Sequence, residues 1–300
     1  MTTNNARALR RYRSTLAPAP PGLQPPRLQP MLRYGNHRLG RALSATRRFL
    51  SAQTFPLRLF LYSRSEMGNA SLRVLSELKD SQLGETGVIV CNGPSLRETN
   101  LDLLQGLPYL LMNRGNLLGD RIAGSPEAVL AHDPKVLEAF VNEIATVDAT
   151  MVTTVEGAQR TSRGEDLVGL RVSHKWRFAT HLRLDSHHGG TVTFWALQLA
   201  FHLGWRKVLI IGMDHRYKGA GTPGSVQTAV GESGNHFAEG YIPAGTTVIS
   251  GDMRANEYSY ELARAAFEAH GREVVDCTEG GSCQVFRKSD LATEAIKREN

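Results

Sequence analysis

A small polar turn follows the clearest strand pattern in the chain. Val88-Ile89-Val90 is a β-branched run, and Cys91-Asn92-Gly93-Pro94-Ser95 leads into a helix that we expect to start near Leu96. Gly93 permits close approach to the backbone, Ser95 can cap the helix, and free N–H groups at a helix N-terminus can bind phosphate. The segment is neither a Walker loop nor a complete GxGxxG motif. It predicts either a phosphate-binding turn, with Asn92, Gly93, Pro94 and Ser95 at the ligand, or a plain capped turn.

Polar residues also follow the other predicted strands. The strand patterns at 107–112, 128–131, 208–211 and 273–276 are followed by Asn113, Asp133, Asp214 and Thr278. In a doubly wound sheet the ligand lies beyond the carboxyl ends of the strands. Asn113 and Asp133 can therefore bond a base or a ribose, or can close turns with their own side chains.

A second glycine turn precedes a helix pattern. His187-His188-Gly189-Gly190-Thr191 leads into a helical run that ends at Leu203. Gly190 and Thr191 could bind an anion in the same way as the first turn. The two histidines have no further ligand at helical or hairpin spacing, so no metal site is predicted.

The stretch from Gly212 to Gly251 is polar and rich in glycine, with little regular pattern. Such a long loop is either disordered or an active-site lid, which we place at about residues 215–252. It contains Tyr217 and His236, and a histidine there is either a general base or a solvated side chain.

Strand and helix patterns alternate through most of the chain. A helix over Thr191–Leu203 is capped by Gly204, and another over Tyr258–His270 is capped by Gly271. This alternation predicts an α/β, Rossmann-like, doubly wound and mostly parallel sheet with helices on both faces. We assign it to residues 81–300, with the lid as an insertion.

The chain before this domain is strongly basic. Residues 1–65 hold 12 Arg and no Lys, Asp or Glu, whereas the remainder has 23 basic and 29 acidic residues. We expect 1–36 to be a disordered tail rich in Pro and Arg, and 37–80 to be a basic amphipathic helical segment interrupted at Pro56. It could anchor the protein at a membrane surface, act as a transit peptide, or pack on the domain.

Bulk composition excludes several classes. No apolar run reaches the roughly 18 residues that cross a bilayer. Three scattered cysteines do not make a disulfide framework or a four-ligand zinc site, which fits a reducing compartment. Aromatic and basic residues do not alternate, so no nucleic acid partner is expected. We expect a cytoplasmic protein, peripheral at the inner face of the membrane if the basic segment is an anchor.

The motifs together resemble two related families. Val-Ile-Val-Cys-Asn-Gly-Pro-Ser-Leu at 88–96, Leu-Gly-Trp-Arg-Lys-Val-Leu-Ile-Ile-Gly-Met-Asp at 203–214 and Asn-His-Phe at 235–237 are similar to the bacterial sialyltransferases of glycosyltransferase family 42. They also resemble the MptE-like family, which is 6-hydroxymethylpterin pyrophosphokinase-like. The similarity covers about residues 87–286, and both families imply a Rossmann-like fold.

The sialyltransferase resemblance implies a role for several residues. Asn92, Ser95 and Asn113 would hold a cytidine nucleotide, Gly190-Thr191 would contact its phosphate or the sugar, Tyr217 would lie near the leaving phosphate, and His236 would be the general base. The reaction would invert the anomeric carbon without a metal. The chain departs from that family in having Gly189-Gly190-Thr191 for Thr-Ser-Gly and Asp133 for an Asn.

The segment Asp276-Cys277-Thr278-Glu279-Gly280-Gly281 is closer to the MptE-like family. That resemblance implies pyrophosphoryl transfer from ATP with magnesium, for which Asp133 and Asp214 are the candidate ligands. Our leading hypothesis is a glycosyltransferase that moves an acidic sugar from a CMP-sugar to a glycan or glycolipid acceptor and uses no cofactor. The alternatives are the pyrophosphokinase and a non-catalytic nucleotide-binding protein tethered to a membrane.

Overall fold

The predicted α/β fold is confirmed. A computed structural model describes residues 11–26, 50–51, 53–173, 175–218, 221–231 and 234–296, and the account below concerns these residues. Within them, nine strands form one sheet in which each neighbouring pair is parallel.

The elements are numbered in chain order. The helices are α1 (50–51 and 53–62), α2 (Glu66–Leu78), α3 (Pro134–Ile144), α4 (Val155–Ala158), α5 (Val192–Leu203), α6 (Met253–Glu268) and α7 (Leu291–Ile296). The strands are β1 (Thr15–Leu16), β2 (Thr86–Val90), β3 (Tyr109–Met112), β4 (Ala128–Ala131), β5 (Thr150–Thr154), β6 (Leu167–Ser173), β7 (Ala179–His181), β8 (Asp185–His187), β9 (Lys207–Ile211), β10 (Val226–Thr228), β11 (Thr247–Ile249), β12 (Glu273–Asp276) and β13 (Arg287–Lys288).

The strand order creates a switch point in the middle of the sheet. The order is β13-β12-β9-β2-β3-β4-β5-β6-β8, so the chain moves outwards from β2 and then returns to place β9 on its other side. A crevice forms between the loops that leave two such strands, because the connections run in opposite directions. The loops after β2 and β9 therefore flank the expected ligand position.

Alternation along the central strands explains why helices cover both faces. In β2, Ile89 belongs to the buried cluster that includes Leu75 of α2 and residues of α5 and α6, whereas Val88 and Val90 belong to the cluster that includes Leu137 of α3. Successive side chains of a strand point to opposite faces, and here both faces are apolar and buried. This is the burial pattern of a sheet covered on both sides.

Three boundaries differ from the sequence predictions. The helix after Ser95 is a four-residue 3₁₀ helix, Pro94–Arg97. α6 begins at Met253, five residues before the predicted start at Tyr258, because Asp252 caps it by accepting from Ala255 N. α1 continues through Pro56, and the chain breaks instead at 63–65, where Ser65 caps α2.

The N-terminal segment also differs from the prediction. Residues 11–26 were expected in a disordered tail, yet β1 pairs with β7, and Ser14 N donates to the buried Asp185 carboxylate at 2.6 Å. A partner 171 residues away supplies this order, so composition alone could not reveal it. The rest of the predicted tail, and 37–49 of the helical segment, lie outside the described residues.

Candidate active site at the sheet switch point

A cavity of about 120 Å³ opens where the switch point predicts one. It lies between the loops after β2, β3 and β9, the N-terminus of α5, one face of α6 and the segment around His236. The lining residues are Cys91, Asn92, Gly93, Met112, Asn113, Thr191, Val192, Thr193, Gly212, Met213, Asp214, His215, Arg216, Tyr217, Asn235, His236, Tyr241, Met253, Asn256 and Tyr260.

The turn Cys91–Ser95, called here the β2 turn, already holds an anion from the protein itself. Asp214 Oδ2 accepts from Ser95 Oγ at 2.7 Å and from Ser95 N at 3.3 Å. A Cβ on Gly93 would lie 2.0 Å from the same oxygen, so the close approach requires glycine. The carboxylate therefore occupies the place that sequence reasoning assigned to a phosphate, and a second anion there would be repelled.

The turn Gly189–Thr191, called here the α5 turn, presents its helix to the cavity. Thr191 caps α5 by accepting from Thr193 N at 3.3 Å, and Thr191, Val192 and Thr193 line the cavity. The N-terminus of this 12-residue helix carries a partial positive charge and outward N–H groups. No carboxylate oxygen is bonded to this turn in the described part of the chain. The α5 turn is thus the position in this cavity that suits an anionic group.

Two asparagines of the cavity lining have a buried amide oxygen that accepts no hydrogen bond in the described structure. Asn92 Nδ2 donates to Met112 O at 2.8 Å, which fixes the amide so that Oδ1 is the free end. Within the described structure, the buried Oδ1 atoms of Asn92 and Asn113 accept no hydrogen bond. Buried acceptors without donors are costly, so both atoms suit a ligand that brings hydroxyl or amino groups.

His236 lines the cavity, where its ring stacks on Tyr241 at 4.1 Å between centroids and 7° between planes. Burial lowers the pKa of His236 to about 4. The ring is therefore neutral at pH 7, with a ring nitrogen able to accept a proton. His236 and the N-terminus of α5 line the same cavity, and the role of general base stays a prediction.

Two arginines hold the His236 segment on the domain by its backbone. Arg97 Nε donates to Phe237 O at 2.9 Å, and its Nη2 donates to His236 O at 3.1 Å. Arg114 donates to Gly240 O and Tyr241 O while its other face makes a two-pronged ion pair with Glu143 of α3. The predicted lid is therefore fixed here, with Phe237 and Tyr241 buried in the core.

Five of the predicted site residues do not line the cavity. Asp133 caps α3 by accepting from Lys135 N at 2.7 Å, and Thr278 Oγ1 accepts from Met213 N at 3.0 Å. Gly190 N donates to His188 Nδ1. Pro94 and Ser95, the last two residues of the β2 turn, begin the 3₁₀ helix Pro94–Arg97. The other seven line one cavity: Asn92, Gly93, Asn113, Thr191, Asp214, Tyr217 and His236.

Sequence reasoning missed other lining residues. Met253, Asn256 and Tyr260 share one face of α6, at a spacing of three and four residues, but the predicted helix began only at Tyr258. Arg216 follows Asp214 after β9 and was passed over. Its Nη2 donates to Gly280 O at 2.9 Å, which holds the guanidinium at the cavity rim.

The described residues of this site offer neither a cluster of metal ligands nor a reactive thiol. No group of three or more His, Cys, Asp or Glu side chains able to hold a metal occurs in the described part. Cys91 lines the cavity, but burial raises the pKa of its thiol well above the ordinary value, so it is protonated at pH 7. Cys277 and Cys283 are buried and free.

Comparison with known proteins adds one remote similarity. No family model matches the chain, and no curated protein sequence matches it. The chain is similar to the structure of MAf glycosyltransferase from Magnetospirillum magneticum AMB-1, with 14% identity and a TM-score of 0.43. The match covers 88% of this chain and 45% of that one, so this chain spans less than half of its length. A TM-score this low does not establish a shared fold or activity.

Proposed function

We propose that the protein is a glycosyltransferase that takes its sugar from a nucleotide-activated donor and uses His236 as general base. The observation that carries the proposal is that His236, which is neutral at pH 7, and the N-terminus of α5 line the same cavity at the switch point. Transfer of a sugar from a nucleotide needs these two functions, because a hydroxyl must lose its proton and a phosphate must leave with negative charge.

The proposed reaction is a single displacement. The acceptor oxygen attacks the anomeric carbon while the bond from that carbon to the phosphate oxygen breaks, and the electron pair leaves with the nucleotide. His236 takes the hydroxyl proton. The α5 turn stabilises the charge on the departing phosphate, and attack from the opposite side inverts the anomeric carbon.

The nucleoside half of the donor fits the two asparagines. Asn92 Oδ1 and Asn113 Oδ1 are acceptors, so they suit ribose hydroxyls or an exocyclic amino group rather than a phosphate. Cytosine carries such an amino group. We propose CMP as the nucleotide and an acidic sugar as the group transferred, with Arg216 at the rim as a cation for the sugar carboxylate.

We also propose that no metal takes part in transfer. Asp214 is the one carboxylate among the described lining residues, and its Oδ2 is held by Ser95. Asp133, the other candidate for magnesium, caps α3 outside the cavity. These positions do not favour pyrophosphoryl transfer, which normally brings Mg²⁺ to the phosphates through oxygen ligands.

A thermal-shift screen tests the nucleotide. CMP, CDP, UDP, GDP and ATP are each added with Mg²⁺ or with EDTA, because a ligand of the folded state raises the melting temperature. We expect the largest shift with CMP, equal in Mg²⁺ and EDTA. A shift with ATP that requires Mg²⁺ would support the pyrophosphokinase instead. No shift with any of the five contradicts a nucleotide site.

A further inference from the structure

Helix α1 is held on the domain by one face. Leu59 is fully buried and Tyr62 nearly so, in a cluster with Val155 and Leu184. The Tyr62 hydroxyl donates to Gly169 O at 2.7 Å. These contacts fix the rotation of α1, and so they fix which side chains face away from the domain.

The opposite face of α1 is apolar. Leu50, Leu57 and Leu61 are 56%, 51% and 60% exposed. Spacings of seven and four residues place them in a single stripe along the helix. A helix that is apolar on two opposite faces normally has a partner on each, and within the described structure this stripe has none.

The charge around the stripe indicates the kind of partner. Residues 50–65 contain Arg58 and Arg64 and no acidic residue, within a 65-residue stretch that has 12 Arg and no Asp or Glu. The nearby Glu156 is balanced by Arg58 at 3.4 Å and Arg171 at 3.1 Å. Exposed leucines flanked by arginines suit an interface that is apolar inside and negatively charged outside.

We propose that α1 docks the protein on a bilayer containing anionic phospholipids. Leu50, Leu57 and Leu61 enter the boundary between headgroups and acyl chains, and Arg58 and Arg64 lie at the level of the lipid phosphates. No described helix is long and apolar enough to span a bilayer, and the docking lies in the plane of the surface. The proposal is independent of the catalytic one, because no residue of α1 lines the cavity.

Vesicle co-sedimentation of the full chain tests the surface. The probes are vesicles of phosphatidylcholine alone and of phosphatidylcholine with phosphatidylglycerol. The test variant is Leu50→Gln/Leu57→Gln/Leu61→Gln, which keeps all arginines. The matched control is Leu83→Gln/Val226→Gln/Val230→Gln, at side chains 68%, 56% and 92% exposed elsewhere. We expect wild type and control to bind the anionic vesicles, and the test variant to bind about tenfold or more weakly.

Two results would overturn the proposal. If the leucine variant binds vesicles as well as wild type does, the arginines alone account for the lipid affinity. A wild-type dimer that the leucine variant dissociates, without vesicle binding by either, would assign the stripe to a second copy of the chain.

A fluorescence measurement keeps the proposal testable if the triple variant fails to fold. In Leu57→Trp, we expect a blue-shifted emission on anionic vesicles and quenching by brominated acyl chains. Leu83→Trp is the control and should show neither. Equal emission from the two variants would contradict insertion of α1.

Discussion

The β2 turn and the α5 turn share a local pattern but differ in the groups that lie next to them. Each follows a strand, contains glycine and leads into the N-terminus of a helix. At the β2 turn, Asp214 supplies a carboxylate to Ser95, and only a four-residue 3₁₀ helix follows. At the α5 turn, a 12-residue helix opens on the cavity.

The difference shows that a turn motif defines an anion-binding geometry and that the rest of the fold decides which anion fills it. Asp214 is 119 residues from Ser95 in the chain and meets it because β9 lies beside β2. The Asp214 carboxylate links the loop after β9 to the β2 turn. The N-terminus of α5 lines the same cavity and is the position that we propose for the substrate phosphate. Variants at the two turns should therefore differ in kind, since one set changes stability and the other changes binding and turnover.

Among variants that test the α5 turn and its cavity, His236→Ala should give the largest loss of turnover. Loss of a general base lowers kcat by about 10²- to 10⁴-fold. Nucleotide affinity should change little, because the proposed phosphate contacts come from α5. Transfer assays with CMP-sugar and a calorimetric titration with CMP measure the two quantities. Turnover within a factor of two of wild type would remove His236 from the mechanism.

Among variants that test the β2 turn, Asp214→Ala should give the largest loss of stability. It leaves Ser95 Oγ and N without the charged acceptor, at a cost of about 1–3 kcal/mol in the free energy of unfolding. Urea unfolding of this variant, of Ser95→Ala and of the double variant gives the coupling between the two residues. Additive losses would show that the Ser95–Asp214 contact contributes nothing to the free energy of unfolding, which would contradict its proposed stabilising role.

Thr191→Asp should weaken nucleotide binding without unfolding α5. Aspartate caps a helix as well as threonine, but its charge at the α5 turn repels a phosphate. We expect CMP affinity to fall about tenfold, which corresponds to about 1.4 kcal/mol. Thr191→Asn is the control, since it caps without charge and should bind as wild type. Equal loss in the two variants would indicate altered shape rather than charge.

Arg114→Lys should give a smaller loss of turnover. Lysine cannot make the two-pronged contact with Glu143 and at the same time hold Gly240 O and Tyr241 O. The Tyr241 ring that stacks on His236 should become less fixed. We expect kcat to fall about fivefold to tenfold with CMP affinity retained. An unchanged kcat would show that the segment is held adequately by Arg97.

The smallest effect concerns pH. We expect activity not to change across the pH range in which an ordinary histidine titrates. Because burial lowers the pKa of His236 to about 4, the ring stays neutral as the pH falls from 8 to about 5.5. The basic form is lost only when the pH falls through the lowered pKa. The kcat/KM profile should therefore be flat over this interval. A kcat/KM that falls to half its maximum near pH 6.5 would mean that the His236 ring is exposed to solvent in the free enzyme.

The sheet and part of the cavity lining could be predicted from the sequence because their determinants are local. A β-branched run such as Val88–Val90, or Gly204 at φ 96° after α5, specifies its element within a few residues. The rule that ligands lie at the carboxyl ends of strands then placed Asn92, Asn113 and Asp214 near one another.

The remainder depends on contacts between distant residues. Ser14 is ordered by Asp185, and Asp133 is used by α3 rather than by the cavity. The α6 face was missed because Asp252 caps the helix one turn earlier than the apolar pattern suggested. The filling of the β2 turn by Asp214 could not be inferred either, since it requires the β2–β9 pairing.

The structure of the protein with the nucleotide that gives the largest thermal shift tests the central claim most directly. We predict a phosphate within about 3 Å of the Val192 amide, with Asp214 still bonded to Ser95. A phosphate at Ser95 with Asp214 displaced, or a nucleotide bound outside the cavity, would contradict the assignment of the α5 turn as the substrate position.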